Sequence, residues 1–226
     1  MITVIYLWRI RKRNVMRAIW HMAIDRRILK ADKSVGFYKL LGTGTGETFT
    51  PKDADPTLWG LIINIEENDL PKFDIGPMVT SWRKIAKSEI RYLVAPISTH
   101  GKWSGVQPFS INNELVNLWR GKVLAVTRAQ IRWHKSLRFW RAVPPVISSL
   151  RGARGLESAI GIGEAPIGLQ GTLSIWSDTQ SLEAFVFKGA AHSGVIRQTH
   201  SERWYAEELF ARFALLEVRG SIAIDK

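Results

Sequence analysis

The sequence predicts an α+β fold made of two tandem βαββαβ units, and three observations carry that prediction. The same order of apolar runs and helical periodicities is read twice, over residues 1–105 and again over 121–226. Two glycine runs, Gly-Thr-Gly-Glu at 44–47 and Gly-Ile-Gly-Glu at 161–164, hold corresponding places in the two units. A polar connector at 106–120, with Pro108 and an Asn112-Asn113-Glu114 run, lies between them. Units of this order are ferredoxin-like. Two of them can pack sheet to sheet with their helices outside, as a pseudo-dimeric α+β barrel.

In the first unit "TVIYLW" (3–8) is a strand, and Asn14 caps a helix over 15–31 with Val15, Ile19, Met22 and Leu29 on one face. "GFYKLLG" (36–42) and "LWGLIINI" (58–65) are strands, the second a continuous apolar run that suits a strand covered on both faces. A helix over 77–88 and the strand "RYLVAPI" (91–97) complete the unit. The second unit repeats the order with "KVLAVTR" (122–128), a helical region around 134–150, "GLESAIG" (155–161) and "GTLSIW" (171–176). A helix from Asp178 onward and a strand near "LLEVRG" (215–220) end it. Leu173 and Ile175 alternate with Thr172 and Ser174, the period of a strand with one polar face.

The glycine runs resemble phosphate loops but lack their context. A phosphate cradle needs a helix opening at its last glycine, because the free amides at the helix N-terminus form the anion site. Both runs instead join adjacent strands of a hairpin, where glycine permits bulges and close backbone approach.

Composition narrows the chemistry. The 226 residues include no cysteine, which excludes disulfides, cysteine-ligated zinc, cysteine-bound iron–sulfur clusters and a thiolate-ligated heme. The net charge of +12 is concentrated: residues 1–39 hold ten Lys/Arg against Asp25 and Asp32, and residues 115–156 hold nine and no acid. Such faces attract anionic partners, and ten tryptophans supply flat walls for core or ligand. The N-terminal run places its charges after its apolar residues, the reverse of a secretory signal, and no segment reaches the ~18 apolar residues of a membrane span. A cytoplasmic protein is expected, with peripheral membrane contact compatible with its basic, tryptophan-bearing segments.

No two of the five histidines have the His-x-x-x-His spacing of a helical zinc site, and no Gly-x-Ser-x-Gly serine motif is present. The acidic pairs at 66–67 and 207–208 are adjacent, so their side chains would diverge on a helix. His192 differs in its neighbours. On a helix it shares a stripe with Val195, Ile196 and Thr199 and is flanked by Ala190, Ala191, Ser193 and Gly194, which leave room for a broad planar group. One histidine with open space is a common way to hold heme iron, with Arg197 or Arg203 placed to pair with propionates. The same pattern also fits a core histidine satisfied by backbone groups. In the repeat, Met78 falls opposite His192 and Arg83 opposite Arg197, so any such site belongs to one unit.

Four blocks, "GFYKLLGTGTGETFTP" (36–51), "HGKWSGVQPF" (100–109), "GIGEAPIGLQGTLSIW" (161–176) and "HSGVIRQTHSERWYAEELFARF" (192–213), together resemble the spheroidene monooxygenase family of acyclic carotenoid biosynthesis. The resemblance runs from about residue 2 to 217. It implies a dimeric α+β barrel-like fold and a heme b-dependent enzyme that oxidises an allylic carbon of an acyclic carotenoid to a ketone by successive hydroxylation. O2 and an external electron donor such as a ferredoxin would be its partners. His192 matches the family's histidine in the "AHxxVIRxT" block, which implies an axial ligand there. Arg197, Arg203 and Trp204 would line the cofactor, and Lys39, Glu47, Glu164 and His200 are weaker candidates for the distal side or the same face.

Two other readings stay open. One is a different heme reaction on a small substrate, such as an aldoxime-dehydratase-like dehydration, which needs no electron donor. The other is a noncatalytic binder of nucleic acid or anionic membrane, using the basic segments with Trp8, Trp20, Trp133 and Trp140 interleaved. Nucleic acid is the less expected of those two partners.

Overall fold

The fold is described from a computed structural model, over residues 1–46, 51–131, 150–164, 170–188 and 205–222. The strands are β1 (Ile2–Ile10), β2 (Val35–Gly44), β3 (Ala54–Ile65), β4 (Ala86–Gly101), β5 (Val123–Ile131), β6 (Leu156–Gly163), β7 (Gly171–Trp176) and β8 (Tyr205–Gly220). The helices are α1 (Val15–Ala31), α2 (Leu70–Asp74), α3 (Pro77–Ile85), α4 (Asn113–Val116) and α5 (Thr179–Lys188). The strands pair antiparallel in the order β1-β3-β2-β6-β7-β5-β8-β4, and that sheet closes on itself as a barrel. Within it β4-β1-β3-β2 and β8-β5-β7-β6 follow the same permutation. The two halves meet at a long β4–β8 seam and a short β2–β6 seam.

Strand alternation sorts the side chains into an inner core and two outer ones. Ile5 and Leu7 of β1, Leu41 of β2, Ile62 of β3, Leu124 and Val126 of β5 and Phe213 of β8 fill the barrel interior, so both halves share one core. The intervening residues Val4, Tyr6 and Trp8 of β1 and Trp59, Leu61 and Ile63 of β3 face outward and are covered by α1 and α3. On the other half Val123, Ala125, Trp176 and Ala214 are covered by Leu182 and Phe185 of α5 and by Leu150.

The short seam explains the glycine runs. Gly42, Thr43 and Gly44 pair with Gly163, Ile162 and Gly161, so the two runs are partners of each other across the halves. Gly46 has φ +69°, and a Cβ there would press against the Gly161 backbone. What the glycines admit is the opposite strand.

Several sequence expectations are corrected in detail. Helix α1 spans 15–31 as predicted, but its inner face is Ala18, Met22, Asp25 and Leu29, while Ile19 is 37% exposed. The phase is set by Asp25, whose carboxylate accepts a 2.7 Å bond from the Trp82 indole N–H of α3. Helix α3 ends at Ile85 rather than 88, because Ala86 turns extended and opens β4 by pairing with Ile10. The final strand begins at Tyr205, ten residues before the predicted "LLEVRG", because it must pair along both β4 and β5. The helical region predicted around 134–150 lies outside the described residues apart from Leu150.

Candidate functional site

One end of the barrel is closed by a charged cluster built from both halves. The segment after β4 folds back over this mouth and inserts Trp103 and Phe109 into the interior core, where each is almost fully buried. Phe109 meets Phe213 edge to face at 4.8 Å, and Phe37 of β2 packs against both inserted rings. Around them the inward positions of four segments turn polar: Lys39 on β2, Arg128 on β5, Glu207 on β8, and Glu164 just beyond β6.

The geometry joins these groups into one network. The Lys39 ammonium lies 2.7 Å from Glu164 Oε2, the Trp103 indole donates to Glu164 Oε1 at 2.7 Å, and Arg128 Nη2 reaches the same oxygen at 3.1 Å. Arg128 Nη1 pairs with Glu207, which also accepts from the backbone amides of Ser104 and Gly105 at 2.8 and 2.6 Å. Both cations stand over the Trp103 ring, 5.8 Å away for Lys39 and 5.6 Å for Arg128. Burial pushes the Glu164 carboxyl up, but the hydrogen bonds of Lys39 and Trp103 and the charges of Lys39 and Arg128 outweigh it and hold it below the usual carboxylate range. Glu207 is held low in the same way, by the amides of Gly105 and Ser104 and by Arg128 against the cost of burial. Two cations therefore face two ionised carboxylates. The cluster clamps the mouth shut and is poorly suited to donating a proton.

Of the predicted candidates, Lys39 and Glu164 are thus brought together, in a salt bridge between halves. Arg128, Glu207 and Trp103 were missed. The signal for Arg128 lay in "KVLAVTR", where Leu124, Val126 and Arg128 alternate on one face. The adjacent Glu207 and Glu208 were dismissed as diverging on a helix. On a strand they point to opposite faces, and Glu207 is the inward one. Glu47, His192, Arg197, His200, Arg203 and Trp204 lie outside the described residues.

The second half offers a different kind of space. Next to the core beneath α5, a cavity of about 240 Å³ is bordered by Leu150, Arg151, Leu156, Glu157, Ala159, Ile160 and Thr172, with Thr45 and Gly46 at its edge. Its walls are mixed, aliphatic side chains beside the Arg151 guanidinium and the Glu157 carboxylate, and its volume falls below the ~300 Å³ of a small ligand pocket. Among the described residues no cluster of three or more His, Cys, Asp or Glu could hold a metal. His21 sits 3.2 Å from Asp25 and against the Trp82 ring, and His100 is exposed on β4. Neither faces this cavity. Met78 and Arg83, the positions opposite His192 and Arg197 in the repeat, serve the first half: Met78 is in its outer core, and Arg83 pairs with Asp74 and Glu89 at 2.8 Å.

Comparison with known proteins decides the family. The chain is 37% identical over 205 residues to the spheroidene monooxygenase of Rhodobacter capsulatus, covering 90% of this chain and 85% of that protein. The chain belongs to the spheroidene monooxygenase family. The family's enzyme from Cereibacter sphaeroides is 32% identical over 81% of the chain, which spans 57% of that longer protein. No protein-family model matches the chain. Among solved structures an aldoxime dehydratase superposes with a TM-score of 0.60 at 9% identity, over 96% of this chain and 81% of its own. A second one, crystallised with butyraldoxime, gives 0.59 at 12% over 96% and 80%. These two show the fold of this spheroidene monooxygenase family member and nothing of its chemistry.

Proposed function

We propose that the protein is a heme b-dependent monooxygenase that oxidises an acyclic carotenoid to a ketone. The observation that carries this reading is the 37% identity to a spheroidene monooxygenase along nine-tenths of the chain. The barrel supports it, since three of the four blocks behind the resemblance supply Phe37 and Lys39, Trp103 and Phe109, and Glu164 to the closed mouth. The fourth supplies Glu207. We read the two halves, 1–105 and 121–226 joined by 106–120, as ferredoxin-like units of a pseudo-dimeric α+β barrel, with the cofactor in the second.

The reaction balances as two hydroxylations of one allylic carbon. Each consumes one O2, two protons and two electrons from an external donor such as a ferredoxin and releases one water, and the resulting geminal diol loses water to the ketone. Heme, when bound, supplies the oxidising chemistry. In this reading His192 would hold the heme iron, Arg197 and Arg203 would pair with the propionates, and Trp204 would pack along the cofactor. Leu150, Leu156 and Ala159 would offer an aliphatic wall to an apolar substrate. Among the described residues the barrel interior is filled by Trp103, Phe109 and the other core side chains.

The test of the cofactor assignment is spectroscopic. Protein made with adequate heme supply is expected to show a Soret band that is lost or strongly shifted in His192→Ala, with the far-ultraviolet circular dichroism unchanged. A colourless wild-type protein, or a His192→Ala variant with the wild-type band, refutes it. A dehydration of the aldoxime type would need no electron donor, and retained turnover without one would favour it.

A further inference from the structure

Helix α1 is apolar on both of its sides. Its inner face, Ala18, Met22 and Leu29, is buried against the first half of the barrel. On its outer face Met16, Trp20, Ile24 and Ile28 recur every four residues and stay exposed, Met16 and Trp20 by 73% and 66%. Arg17 and Arg27 are exposed among them, and Arg13 is exposed just before the helix. The only acid in residues 11–31 is Asp25, which is buried beneath and bound to Trp82. A continuous apolar row on a surface marks a contact. The cations within it select a negatively charged one.

We propose that the outer face of α1 docks the protein onto an anionic lipid bilayer, with the helix lying in the interface plane. The chemistry discriminates among occupants. Met16, Ile24 and Ile28 can enter hydrocarbon, Trp20 suits the headgroup boundary, and the arginines reach lipid phosphates. Nucleic acid would draw on the cations but leave the aliphatic row without a partner. A second copy of this chain would set Arg13, Arg17 and Arg27 against their own equivalents. The helix does not cross the bilayer, since no helix among the described residues is long and apolar enough. Its position is coupled to the barrel mouth: Arg26 donates to the Glu164 carbonyl at 2.8 Å, and the Tyr38 hydroxyl donates to the Arg26 carbonyl at 2.9 Å. Docking thus brings the mouth closed by Trp103 close to the lipid surface. Docking through this face does not depend on whether the protein binds heme.

Co-sedimentation of the full chain with vesicles tests it. Phosphatidylcholine vesicles containing phosphatidylglycerol are expected to bind the protein at least ~10-fold more tightly than pure phosphatidylcholine, with affinity falling as salt rises. Trp20→Glu and Ile24→Glu should each lower binding about tenfold or more. The Arg17→Gln/Arg27→Gln variant should lower it about fivefold per arginine on anionic vesicles only. Ile75→Glu, at an exposed apolar residue of the same half but off this face, should change nothing. Equal binding to both vesicle types or indifference to Trp20→Glu overturns the proposal. So does tighter binding of a single-stranded oligonucleotide than of anionic vesicles, or a dimer in solution that Trp20→Glu dissociates.

Discussion

Lys39 Nζ and Glu164 Oε2 stand 2.7 Å apart although their residues are separated by 125 positions. Lys39 lies on β2 and Glu164 just beyond β6, the two glycine-rich strands that pair across the short seam of the barrel, and their ion pair extends that seam where the backbone pairing stops. Lys39 is mostly buried, so the pair is worth more than an exposed one. Lys39→Met and Glu164→Gln should each cost about 1–2 kcal/mol, with a coupling of about 1 kcal/mol in the double variant. Urea denaturation of the four proteins in the cycle measures this, and strict additivity would show that the pair contributes nothing.

Arg128 is the more costly residue to remove. It is almost fully buried and binds both Glu164 and Glu207, so Arg128→Met leaves two carboxylates facing an apolar interior with fewer partners. A loss of about 3 kcal/mol is expected, larger than for any single change at Lys39. Thermal unfolding of the two variants side by side checks that ranking.

Acid should open the structure through the same groups. Asp55, Asp74, Glu164 and Glu207 are all held below the ordinary carboxylate range in the fold, in each case against a burial cost that their hydrogen-bond donors and cations overcome. Because the folded values are depressed, the stability they add is fully present above the unfolded value of about 4–4.5 and is lost as pH falls through the folded ones. Unfolding free energy should hold nearly level from neutral pH to about 5 and then drop. Arg128→Met should show a shallower fall in the same denaturant series, since its carboxylates have less to lose.

Two neighbouring glycines should respond differently to one methyl group. Gly101 and Gly105 both have positive φ, but a Cβ at Gly101 would run into the Glu208 carbonyl across the β4–β8 seam, whereas at Gly105 it meets open space. Gly105→Ala should cost about 1–2 kcal/mol from backbone strain alone. Gly101→Ala should cost about 3 kcal/mol or more, because strain and a backbone clash add. Equal melting temperatures would contradict the seam geometry.

Much of the architecture was legible because alternation and helical period are local properties. Helix α1 was read to its observed ends, and Leu173 and Ile175 were placed on one face of β7, where both prove to be core. What escaped were relationships fixed only by distant pairing. Nothing local in "GTGTG" says that its strand partner is "GIG" rather than a flat ligand. Ile19 looked like a core position because it is apolar, while Asp25, the residue that actually turns inward, was hidden by its charge. Its burial depends on the Trp82 indole 57 residues away. At the candidate site, Lys39 and Glu164 stood out beside their glycines. Arg128 and Glu207 became visible only once both were known to lie on inward faces of strands.

The measurement that bears most directly on the central claim is product analysis under ¹⁸O2. Heme-loaded protein, a reduced ferredoxin and an acyclic carotenoid presented in anionic vesicles should yield a ketocarotenoid whose carbonyl oxygen, quenched before exchange with water, carries the label. The yield should depend on the electron donor and vanish in His192→Ala. An unchanged carotenoid under these conditions, or a ketone formed equally well without O2, would contradict the assignment.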